Sequence, residues 1–75
     1  MDTDGRRAHP NSIARLDELM REGWQLTVRD ERDTPWPWNG WRAELRWING
    51  NTCGTTRPTY AEAIDHLASA FGAKL

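Results

Sequence analysis

The sequence predicts an α+β fold of order α-β-β-β-α, a three-stranded antiparallel sheet with both helices packed on one face. Three observations predict it. Apolar residues recur at helical spacing near each end of the chain. Between them, two stretches alternate apolar and polar residues with the period of two of a half-buried strand. An Asn-Gly pair, Asn49-Gly50, then turns the second strand back into a third.

The elements follow in order. Met1 to Pro10 (MDTDGRRAHP) is polar and aperiodic and reads as a flexible tail, so the domain is expected to span residues 11–75. Asn11 or Ser12 is a suitable N-cap for a first helix over about residues 12–22. Its apolar face is Ile13, Leu16, Leu19 and Met20, and Gly23 suits the C-cap. In the first strand Trp24, Leu26 and Val28 share one face, and Gln25, Thr27 and Arg29 the other. Asp30 to Gly40 follows, and the alternate prolines of Thr-Pro-Trp-Pro-Trp exclude a central strand there, leaving a loop. Trp41, Ala43, Leu45 and Trp47 alternate with Arg42, Glu44 and Arg46 to make the second strand. A two-residue turn at Asn49-Gly50 or Gly50-Asn51 puts Thr52, Gly54 and Thr56 beside Leu45 and Trp47. Cys53, Thr55 and Arg57 then fall on the opposite face. Pro58 ends that strand. Thr59-Tyr60-Ala61-Glu62 is a capping box for a second helix whose stripe is Tyr60, Ile64, Leu67 and Phe71, closed by Gly72.

Composition narrows the function. At 75 residues the chain is one small domain with a thin core. Ten basic and eleven acidic residues give a net charge of −1, not the bulk charge of a polybasic binder of nucleic acid or membrane. One cysteine, Cys53, excludes an intramolecular disulfide and a multi-cysteine zinc site. No apolar run approaches the roughly 20 residues of a membrane span, and the polar first residues lack a signal peptide's apolar region. A cytoplasmic protein without a membrane partner is expected. Catalytic signals are weak. His9 lies in the tail, and His66 and Asp65 point about 100° apart on a helix. Cys53 has no neighbouring histidine in sequence. Neither metal-ligand spacing nor a phosphate-binding glycine loop is present. The expectation is no catalytic residue, no metal, no cofactor and no enzymatic activity.

Two features point to binding. With the strands in the expected register, the open sheet face shows Arg29, Arg42, Arg46 and Arg57 against Glu44 alone. Arginine's planar fork suits carboxylate or phosphate, and ion pairing within the face is the alternative use of these charges. Trp36 and Trp38 sit in the proline-bracketed loop. They are either folded over the end of the thin core or presented to a partner, where tryptophan is enriched.

The stretch Trp41 to Phe71, with Gly54 and Thr59-Tyr60-Ala61-Glu62-Ala63-Ile64, resembles the strand–strand–Thr-x-x-Glu-Ala pattern of HicB-type antitoxins. That resemblance implies a non-catalytic, toxin-neutralising partner. The overall build is similar to small phage-encoded inhibitors such as anti-CRISPR proteins. It implies a phage or mobile-element inhibitor acting by stoichiometric occlusion of a target protein surface. A protein target is the leading expectation. DNA or RNA binding on the arginine face, and a homodimer formed at the third-strand edge, stay open beside it.

Overall fold

The computed structural model describes residues 8–33 and 39–74. It has the expected order: α1 (Pro10–Glu22), β1 (Gln25–Glu31), β2 (Gly40–Arg46), β3 (Thr52–Arg57) and α2 (Tyr60–Ala70). The strands form one antiparallel sheet of order β1-β2-β3. No helix among the described residues is long and apolar enough to cross a membrane.

The sheet buries one face. Ala43 and Leu45 of β2 join Ala63, Ile64, Leu67 and Ala68 of α2 and Leu16 and Leu19 of α1 in a single apolar cluster. α2 lies on β2 and β3, while α1 packs beside α2 and reaches β1. The two helices run the same way. His9 and Ser12 at the start of α1 meet Asp65, and Arg15 one turn later meets Phe71. Aromatic contacts close both ends of this layer. Trp24 lies 5.0 Å from Trp47 and 5.2 Å from Phe71 at one end, and Trp41 meets Tyr60 edge-on at 5.6 Å at the other. Arg32 lies over the Trp41 ring at 5.1 Å. Its bond to the Asp30 carboxylate holds the guanidinium further toward its charged form.

α1 begins earlier than expected. Pro10 occupies the first turn, where its missing N–H costs nothing, and His9 is the N-cap in place of Asn11 or Ser12. The His9 ring Nδ1 accepts the Asn11 N–H at 3.1 Å. Ala8 is buried in the core, so residues 8–10, expected in the flexible tail, belong to the domain, and residues 1–7 lie outside the described residues. The buried stripe of α1 is rotated as well. Ser12, Leu16 and Leu19 face inward, while Ile13 is 56% exposed and Met20 41% exposed. Both helices close with the paired reverse bonds of a Schellman cap. Gly23 and Trp24 N–H donate to Met20 and Leu19 O in α1, and Gly72 and Ala73 N–H to Ser69 and Ala68 O in α2. At the start of α2, Thr59 accepts the Glu62 N–H as its sequence predicts.

The register of β3 corrects the expectation. Leu45 faces Cys53 and Ala43 faces Thr55, while Glu44 faces Gly54 and Arg42 faces Thr56. Cys53, Thr55 and Arg57 therefore lie on the helix side, and Thr52, Gly54 and Thr56 on the open side. The cause is loop length. Trp47 N–H donates to Asn51 O at 2.8 Å and Gly50 N–H to Trp47 O at 2.9 Å, which makes Ile48-Asn49-Gly50 a three-residue loop. A two-residue turn would differ by one position, and one position moves every side chain of a strand to the other face. Gly50 takes the left-handed position of that loop at φ 94°, with nothing near its absent Cβ. Gly50→Ala is thus expected to cost about 1–2 kcal/mol from backbone strain alone, and Gly50→Asn less. The urea midpoint of the two variants checks this.

Candidate functional site

The open face brings together three of the four arginines expected there. Arg29 and Arg42 face each other directly across β1 and β2, and Arg46 lies along β2 from Arg42. Such like-charge opposition is unfavourable unless carboxylates intervene, and here they do. Arg42 Nη2 donates to Glu44 Oε2 at 3.2 Å, and Arg29 pairs with Glu31 at 3.8 Å. Arg42 also reaches the Thr56 hydroxyl at 3.4 Å. A side chain at Gly54 would meet the Arg42 guanidinium at 2.9 Å, so the glycine leaves the space in which Arg42 lies flat.

Arg57, the fourth, is a correction to the expected site. The register of β3 carries it to the helix side, where its Nη2 lies 2.8 Å from Nε2 of His66. Trp36 and Trp38 lie outside the described residues.

Arg46 differs from its neighbours, having no ion-pair partner among the described residues. It lines an open cleft of about 350 Å³ with Gly23, Gln25, Trp47 and Ile48. The end of α1 and the β2–β3 hairpin position these residues together. Gln25 faces Arg46 across the ladder. The Trp47 ring is seated against Gly23, where a Cβ would lie 3.2 Å from it, and against Trp24. It is therefore a fixed wall. Ile48, at the hairpin tip, is 89% exposed. A fixed indole, an exposed aliphatic side chain and an unpaired guanidinium can seat an apolar side chain that has a carboxylate beside it.

Sequence reasoning missed Ile48, Trp47 and Gln25 as site residues. Their one legible signal was an isoleucine immediately before Asn-Gly, a turn position from which it cannot reach the core. Among the described residues, no group of three or more His, Cys, Asp or Glu side chains could hold a metal ion. No protein family, curated protein or solved structure matches the chain.

Proposed function

We propose that this chain is a non-enzymatic protein-binding module. It would engage its partner through the cleft at the hairpin end, with Ile48 and Trp47 as the apolar anchor and Arg46 as the anion-reading group. The exposure of Ile48 beside a fixed tryptophan and an unpaired arginine carries this reading. Arginine and tryptophan are the residue types enriched where binding energy concentrates. The narrower reading is a phage or mobile-element inhibitor that occludes a surface its target needs, with the exposed Ile48 at the hairpin tip as the occluding anchor. The arginine face supports nucleic-acid binding less well, because Arg42 and Arg29 are engaged by Glu44 and Glu31. A polyanion would have to displace those carboxylates or meet their charge.

The test is affinity capture on the immobilised protein, with nuclease present, beside its Ile48→Asp and Arg46→Glu variants. One protein should be retained in stoichiometric amount by the parent and lost by both variants. Their melting temperatures should match the parent's, since substitutions at exposed sites stay within about 0.5 kcal/mol. Equal retention by all three proteins, or recovery of material that nuclease removes, would overturn the reading.

A further inference from the structure

β3 is an edge of the sheet, and its outward backbone groups can be assigned. The Trp47 to Asn51 bond marks a hydrogen-bonded pair, and such pairs recur at every second residue of an antiparallel ladder. Cys53, Thr55 and Arg57 therefore direct their N–H and C=O groups toward β2. Thr52, Gly54 and Thr56 direct theirs away from the sheet, where no strand of the described residues pairs with them.

The two edges of the sheet are guarded differently. Exposed edges are normally blunted by charge, proline or a bulge. β1 carries Arg29, Asp30 and Glu31. β3 has no proline, its register with β2 runs without a break, and its one charge, Arg57, is its last residue. Thr52, Cys53 and Gly54 are exposed.

We propose that β3 pairs with β3 of a second copy of this chain, antiparallel about a two-fold axis at Gly54, to make one continuous sheet. The symmetry selects the register. A two-fold axis relating antiparallel edge strands stands perpendicular to the sheet, so both helix layers lie on the same side and one residue faces itself. With the axis at Gly54, Gly54 faces Gly54 and Thr52 faces Thr56 in both directions. Every outward group of β3 then meets an outward group of the second copy. With the axis at Thr55, Thr52 would face Pro58, which has no N–H, and Arg57 would face Cys53. With the axis at Cys53, Thr56 would face Gly50 in the turn. Side chains favour the same choice. Threonine pairs are favourable cross-strand neighbours, and the Gly54 register sets each Arg57 opposite Asn51, so the two Arg57 lie at opposite ends of the interface. A single paired edge is a small interface of the weak, transient kind, so the association is expected to show at about micromolar concentration or above.

Sedimentation of the whole protein from micromolar to millimolar concentration tests this, with two double variants. In Thr52→Glu/Thr56→Glu each new carboxylate faces an arginine of its own β2, Arg46 or Arg42, which supports the fold. Across the two-fold axis, however, glutamate meets glutamate. In Thr52→Glu/Thr56→Lys opposite charges meet across the axis. The parent should dimerise, the double-glutamate variant should associate at least roughly tenfold more weakly, and the Glu/Lys variant should dimerise at least as well as the parent. A parent that stays monomeric over the whole range overturns the proposal, as does a double-glutamate variant that dimerises like the parent. A Glu/Lys variant as weak as the double glutamate overturns the Gly54 register.

Discussion

Leu45→Ala should lose about 3–5 kcal/mol of stability. Leu45 is fully buried at the centre of the sheet, between Leu26 on β1 and Cys53 on β3. The core around it is thin. Among the described residues, four of the nine buried apolar residues are alanines, Ala8, Ala43, Ala63 and Ala68. The helices supply Leu16, Leu19, Ile64 and Leu67, so Leu45 is the one large apolar side chain that the sheet buries completely. Alanine there leaves a cavity that the remaining alanines are too short to fill. Stability for a chain of this length is about 4–11 kcal/mol, so the loss takes a large share of it. Urea unfolding should show a strongly lowered midpoint with an unchanged slope, and the melting temperature should fall by about 4–8 °C for each kcal/mol. Ile48→Ala is the matched control, with a change within about 0.5 kcal/mol. A Leu45→Ala variant that melts with the parent would contradict the placement of the core.

Side-chain period decides how much of this fold is legible in the sequence. Trp24, Leu26 and Val28, and Ala43 and Leu45, alternate with polar residues, and the structure sets Leu26 against Leu45 and Val28 against Ala43. Thr59 with Glu62, and Gly23 after a helical stripe, mark helix ends because they satisfy backbone groups that a helix leaves open. β3 was less legible, since Thr-Cys-Gly-Thr-Thr has no apolar alternation to say which face turns inward. Its orientation depends on whether the loop holds two residues or three, and Asn49-Gly50 is compatible with both. The start of α1 is hard to place from sequence for a different reason. Histidine is an uncommon N-cap, and Pro10 fits the first helical turn as well as it fits a tail.

The candidate site was legible in its charges and obscure in its shape. Arg29, Arg42 and Arg46 share a face because their strands pair as the period requires. Which of them is free depends on where Glu31 and Glu44 reach, and spacing does not state this. The β3 register removes Arg57 from the face, and the same register turns Thr52, Gly54 and Thr56 onto it. Composition could not assemble the cleft, whose residues come from the end of α1, the start of β1 and the β2–β3 hairpin.

Asp65→Ala should lose about 2–4 kcal/mol, although its side chain is only half-buried. One carboxylate oxygen, Oδ1, accepts both the Ser12 hydroxyl at 2.6 Å and the His9 N–H at 2.9 Å. Ser12 is completely buried, so removing its acceptor strands a hydroxyl out of reach of water, at about 1–3 kcal/mol. The lost charge-assisted bond from His9 adds to this. α1 has few other holds. Its backbone comes close to the sheet only at β1, and its remaining polar ties among the described residues are Arg15 to Phe71 O at 2.8 Å and Asn11 to Lys74 O at 2.6 Å. Asp65→Asn keeps an acceptor oxygen in place and should cost less than half as much. The sharper result comes from a double-mutant cycle. Ser12→Ala alone should cost about 0.5–1.5 kcal/mol, because Asp65 can turn to water. Added to Asp65→Ala, the same substitution should restore part of the lost stability, since it deletes the stranded hydroxyl. Chemical denaturation of the four proteins measures the coupling. Strictly additive losses would mean that Ser12 and Asp65 do not hold α1 against α2 through a shared hydrogen bond.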